Sequence, residues 1–146
     1  MSPNDVPAGA ARGTPEVTGL VRLRSTRGAA ETVQRLEALL KEKGVHLFAR
    51  IDHAEGAAKV GLPLRFTQVL LFGNPQVGTA LMQSNQTAGI DLPLRALVWE
   101  DEAGKVWLGY NDPQDLARRH QILDRDETVR AMSAGLQALA RAATGS

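Results

Sequence analysis

Apolar positions along this chain change their spacing several times, and each change predicts a new element. Val17, Val21 and Leu23 fall on one face at even spacing, with Gly19 filling the gap, which predicts a half-buried strand over 17–24. From Ala29 to Lys43 the period lengthens. Val33, Leu36 and Leu40 form one stripe with Ala29, Ala30 and Leu39 beside it, while Glu31/Arg35 and Glu37/Lys41 pair at i,i+4 outside, so this stretch reads as a helix that Gly44 ends. Val45 to His53 alternates again and predicts a strand with Val45, Leu47, Ala49 and Ile51 inward, His46 outward and His53 inward. Ala54 to Gly61 is alanine-rich and reads as one or two helical turns, closed by Gly61 and Pro63.

Phe66 to Phe72 is apolar apart from Thr67 and Gln68, the signature of a central strand covered on both faces. Pro75 to Gln83 follows as a helix, with Asn74 as its cap and Pro75 at its first position. Leu94–Trp99 and Val106–Tyr110 form a hairpin around the acidic connection 100–105. Asp112 and Pro113 cap and start a short helix through His120. The last helix carries Val129, Met132, Leu136, Leu139 and Ala143 on one stripe, with Asp124 and Glu127 at capping-box spacing before it.

Composition narrows the function classes. The 146 residues fit one domain, read as a tail over 1–15 and a single domain over 16–144. Only 4% of residues are aromatic, so the core must rest on Leu, Val and Ala. A net charge of +1, with acids and bases interleaved, gives no electrostatic footprint for nucleic acid or an anionic membrane. Without cysteine there is no disulfide, thiolate metal site or cysteine nucleophile. The first 15 residues hold no apolar run of signal-peptide length, and no later stretch approaches a membrane span, so a cytoplasmic location is expected.

Candidate chemistry is sparse. Gly73 to Gly78 has the G-x-x-x-x-G spacing of a phosphate loop between a strand and a helix, but Thr79 and Ala80 stand where Lys and Ser/Thr are required. What survives is the positive end of the helix, where the amides of Gln76 and Val77 behind Asn74 could hold a small anion unless Asn74 satisfies them itself. His46, His53 and His120 show no metal spacing, so no metal and no cofactor are expected. His53 and His120 are candidates for a general base if a carboxylate such as Glu100 meets them in the fold. Glu100, Asp101 and Glu102 crowd one turn, which is ordinarily a solvated turn and can also raise one member's pKa. Trp99, Trp107 and Tyr110 supply packing mass or a stacking surface for a flat ligand.

The segment FGNPQVGTALMQSNQTAGIDLPLRALVWEDEAGKVWLGYNDP, preceded by RIDHAEGA and followed by LARRH, closely resembles the domain-of-unknown-function family numbered 302. Gln86 and Thr87 depart from the pattern, falling where many relatives have a proline-containing turn. The resemblance covers about Val17 to Arg141 and implies a small α+β domain, a two-layer sandwich of helices on a mixed or antiparallel sheet; the pattern above supplies about five strands. It implies no known substrate. Family-recurrent polar positions map to Asp52, His53, Asn74, Pro75, Gly78, Asp91, Glu100, Tyr110, Asn111, Asp112 and His120. The first expectation is a binding or sensing module for a small ligand, an anion among the candidates, with a recess near the FGNP helix start. Asn74, Gln76, Val77, Tyr110 and Asp112 are its candidate ligand-binding residues, and His53, Glu100 and His120 are expected beside them. The alternatives are a homodimeric interaction module joined through a strand edge or helix face, and an enzyme using His53 or His120 as general base.

Overall fold

The computed structural model describes residues 16–145; the tail read over 1–15 lies outside them. Strand β1 (Leu20–Ser25) leads to helix α1 (Ala29–Glu42), then β2 (His46–Asp52), the short α2 (His53–Lys59), β3 (Thr67–Gly73) and α3 (Pro75–Ser84). A 3-10 helix (Gln86–Asp91), β4 (Leu94–Glu100), β5 (Val106–Asn111), α4 (Pro113–Arg119) and α5 (Asp126–Thr144) complete it. The strands form one antiparallel sheet in the order β1-β5-β4-β3-β2. The architecture is therefore α+β with two layers, as the pattern and the family resemblance implied.

Helices α1 and α5 pack on one face of that sheet and on each other. Leu36, Leu40, Leu70, Val98, Leu108 and Ala143 there are at most 1% exposed. Burying a residue of this size contributes about 1.5–3 kcal/mol, so this layer is what holds the domain together. A second cluster, Leu81, Ala88, Ala117, Ile122, Val129 and Met132, joins α3, the 3-10 helix, α4 and α5 beyond the end of the sheet.

Several boundaries differ from the sequence expectation for identifiable reasons. Gly19 lies outside β1, in a left-handed turn at φ 80° whose carbonyl accepts the amide of Asp112. Val17 is exposed rather than part of the strand face. The even alternation expected through β2 breaks at Phe48. Leu47 pairs with Phe72 but Ala49 with Leu71, leaving Phe48 as an extra, bulged residue. Past the bulge the faces exchange: Arg50 turns to the helix side and meets Glu37 of α1 at 2.7 Å, while Ala49 and Ile51 point away. His53, expected inward, is exposed on the first turn of α2, for which Asp52 is the cap.

Asp124 does not cap α5, which starts at Asp126 behind Arg125. Its carboxylate instead takes the Ser84 hydroxyl at 2.5 Å and Arg125 at 2.8 Å, tying the end of α3 to the entry of α5. The Ser84 hydrogen bond, helped by Arg125, holds the Asp124 carboxyl below the ordinary value. β3 is deeply covered on one face only, because both long helices lie on the same side of the sheet.

Candidate functional site

A recess of about 410 Å³ opens at the start of α3, where β3 hands over through Gly73–Asn74–Pro75. Asn74 Oδ1 accepts the Gln76 amide at 2.9 Å, and the Asn74 carbonyl accepts the amides of Val77 at 3.1 Å and Gly78 at 3.0 Å. The helix start is thus satisfied internally. The walls are apolar: Phe48 from the β2 bulge, Val77 and Met82 from α3, Leu92 and Pro93 before β4, and Met132 from α5. Gly78 leaves room for a methyl group on the α3 wall, since a Cβ built on it would touch Leu92 Cδ1 at 3.7 Å and Met82 Cε at 3.9 Å without overlap.

A different set of polar groups gathers around the 3-10 helix. His120, 6% exposed at the C-terminal cap of α4, lies between its two ends: Nδ1 is 2.8 Å from Thr87 Oγ1 and Nε2 is 2.5 Å from Asp91 Oδ2. Arg119 Nη1 donates to the same Asp91 carboxylate at 3.0 and 3.2 Å. Asn85 caps the 3-10 helix, accepting the Thr87 amide at 3.1 Å, and its Nδ2 donates to the His120 carbonyl at 2.6 Å. Asp91 and Arg119 also line a second, smaller recess of about 180 Å³ with Arg95, Asp112 and Asp115.

The sequence candidates therefore separate instead of converging on the FGNP turn. Asn74 and Val77 line the large recess, whereas Gln76 contributes its capped amide and an exposed side chain. Asp112 lines the smaller one and accepts the Gln114 amide as the cap of α4. Tyr110 is buried in the core on the helix-covered face, where burial pushes its phenol up. Glu100 ends β4 at the hairpin, its carbonyl accepting Arg65 Nε at 3.3 Å. Of the three crowded acids, Asp101 organises the turn. Its carboxylate takes Trp107 Nε1 and the amides of Ala103 and Lys105, each at 2.9 Å, and the Trp107 bond foremost holds the carboxyl below its ordinary value. Among the described residues no His, Asp or Glu grouping suits a metal ion.

Phe48, Met82, Leu92, Pro93 and Met132, the apolar walls, were invisible as a site in sequence because each fits an ordinary core or turn pattern. Asp91 was marked by the family resemblance alone, without a role, and Thr87 only as a departure from the family pattern.

The architecture and its recess describe a small α+β domain, and among the described residues no helix is long and apolar enough to cross a membrane. The profile of the family described as "Domain of unknown function DUF302" matches residues 21–139, and the chain belongs to that family. The crystal structure of an uncharacterized conserved DUF302 protein from Bacillus stearothermophilus superimposes with a TM-score of 0.78 at 22% identity. It covers 87% of this chain and 99% of that one, a likeness of fold. The chain is also 47% identical over 129 residues to a protein of Brucella suis named fluoride-specific ion channel FluC 1, covering 88% of this chain and 51% of that protein. A Brucella abortus protein of the same name matches at 47% over 48% of its length. The chain thus spans about half the length of the curated relatives it matches.

Proposed function

We propose that this protein is a binding module for a small apolar or amphipathic molecule held in the recess between α3, the β2 bulge and α5. The observation that carries the reading is the chemistry of the walls: eight apolar side chains around about 410 Å³, with Asn74 and Thr79 as polar members. That volume lies within the range of about 300–1,000 Å³ that small-molecule sites occupy. Anion binding finds less support, because the amides of Gln76, Val77 and Gly78 are already engaged by Asn74. Fluoride, the ion in the names of the Brucella relatives, would lose its hydration there without gaining those donors. In those longer proteins we read the matched half as a ligand-responsive domain accompanying a channel half.

Titration with decanoate and with anilinonaphthalene sulfonate, followed by thermal unfolding, tests the reading. A ligand at a hundred times its Kd adds about 2.7 kcal/mol, a shift of several degrees for a domain of this size. Gly78→Leu, which fills the recess, should abolish the shift while the fold persists. Both probes leaving Tm unmoved at millimolar concentration would exclude apolar ligands of that size.

One observation favours a second reading, an enzyme with His120 as general base. The chain Thr87 Oγ1, His120, Asp91 has the order hydroxyl, imidazole, carboxylate, with both bonds within 2.8 Å. Thr87 Oγ1 also lies 2.8 Å from Asn85 Oδ1, so its single hydrogen serves either Asn85 or His120. Hydrolysis of p-nitrophenyl esters that disappears in both Thr87→Val and His120→Gln would support this reading; activity retained in Thr87→Val would sink it.

A further inference from the structure

The sheet face opposite α1 and α5 breaks the alternation expected of a solvated surface. Strand registers set three rows across it: Leu20, Asn111, Arg95, Leu71 and Ala49; then Arg22, Gly109, Leu97, Val69 and Ile51; then Arg24, Trp107, Trp99 and Thr67. An antiparallel sheet with one wet face carries polar residues there. Here Ile51, Val69, Leu71, Leu97, Trp99 and Trp107 make a continuous apolar field. Ile51 is 44% exposed and the other five are half-buried. The field is flat by construction. A Cβ on Gly109 would stand 3.0 Å from Trp99 Cζ3, so the glycine lets that indole lie down on β5, and the two tryptophan rings stack at 18° with centroids 6.4 Å apart.

The geometry points to a second copy of this chain as what covers the face, in a two-fold sheet-on-sheet dimer. Five strands at about 4.8 Å by some six residues at about 3.4 Å give roughly 500 Å² of projected face per copy, so at least ~1,000 Å² is buried in total, the threshold of a specific interface. A two-fold axis parallel to the strands puts the central strand β4 on its own symmetry mate, Leu97 on Leu97. The same operation lays β1 over the partner's β2 edge. The exposed Arg24 then approaches the first turn of α2, where Glu55, 64% exposed and 3.4 Å from Lys59 within the helix, offers it a carboxylate to share. An axis perpendicular to the strands would instead stack β1 on β1, arginine against arginine, at a cost. A nucleic-acid strand suits the surface less well: net charge is +1, and Arg22 already sits over the Trp107 ring, 5.5 Å from its centroid.

Sedimentation equilibrium of the whole chain decides it. The expected result is a species of twice 15.7 kDa, and Leu97→Arg, which sets like charges together on the axis, weakens dimerisation by roughly a hundredfold or more with the circular dichroism spectrum unchanged. Because the chain has no cysteine, Leu97→Cys supplies a single thiol and also covers the case in which the arginine variant does not fold. Facing positions on packed sheets stand about 10 Å apart, a gap that a short bismaleimide spans. That reagent should give a covalent dimer from Leu97→Cys and not from Ala138→Cys on the exposed side of α5. A wild-type monomer at ~100 μM, whether or not it retains an oligonucleotide, overturns the proposal, as does a folded Leu97→Arg protein that remains dimeric.

Discussion

Gly78 sits inside a ten-residue helix, where glycine is a poor choice unless something needs the space. Glycine costs about 0.8–1.0 kcal/mol relative to alanine in a helix interior, and its conformation here is one any residue adopts. The alanine methyl would meet Leu92 at 3.7 Å and Met82 at 3.9 Å, ordinary contacts that add a few tenths of a kcal/mol without overlap. Gly78→Ala is therefore expected to stabilise the domain by about 1 kcal/mol, raising Tm by roughly 3–4 °C at this size. Urea unfolding should show the midpoint rise with an unchanged m value. The same methyl reduces the recess, so binding of an apolar probe should weaken as stability improves, the trade-off of a position left open for a ligand. A fall in Tm would refute the reasoning, because it would mean that the α3 wall is packed rather than open.

His120→Ala removes the imidazole link between both ends of the 3-10 helix and α4, leaving Thr87 to Asn85 and Asp91 to Arg119; we expect a loss of about 2 kcal/mol in urea unfolding, and a loss below ~0.5 kcal/mol would show the link is slack. Asp101 has a depressed carboxyl, so its contribution is present above its unfolded pKa and is lost as pH falls through the lower folded value. Tryptophan fluorescence followed downward from pH 5 should report release of Trp107 only below the ordinary carboxylate range, and Asp101→Asn should remove that transition. A Trp107 transition centred above pH 4.5 would contradict the assignment.

The layers were legible in the sequence because both long helices and the first two strands declare themselves through period, β3 through a nearly unbroken apolar run, and β4 and β5 through the turn between them. Val33, Leu36 and Leu40 repeat at helical spacing, and all three are buried. What depends on events between elements was missed. The bulge at Phe48 adds one residue to a strand that alternates cleanly on paper, and only the partner strand shows the slip. The 3-10 helix 86–91 is held by a histidine 33 residues from Thr87 and 29 from Asp91, through bonds no local pattern encodes. The amides of Gln76 and Val77 were legible as donors, yet whether Asn74 takes them is a matter of dihedral angles. Asp124 matched the capping-box spacing, but a hydroxyl from α3 draws its carboxylate away.

The bulge connects the two surfaces on which the functional readings rest. A regular β2 would keep Arg50 and Ile51 on the faces the alternation assigns them, with Ile51 toward α1 and Arg50 outward. The extra residue instead sends Arg50 to Glu37, where the pair stays near solvent, and frees Ile51 to extend the apolar field of the open sheet. Phe48 itself, left without a partner across the ladder, lies beside Gly73, where a Cβ would stand 3.8 Å from its ring. One inserted residue thus supplies a wall of the recess and a corner of the docking face. Deleting Phe48 should restore regular pairing and remove that wall of the recess, while Ala49 and Ile51 keep their pairing with Leu71 and Val69 and stay on the open face; loss of apolar-probe binding with self-association unchanged is therefore the expected outcome, and loss of both would contradict this register.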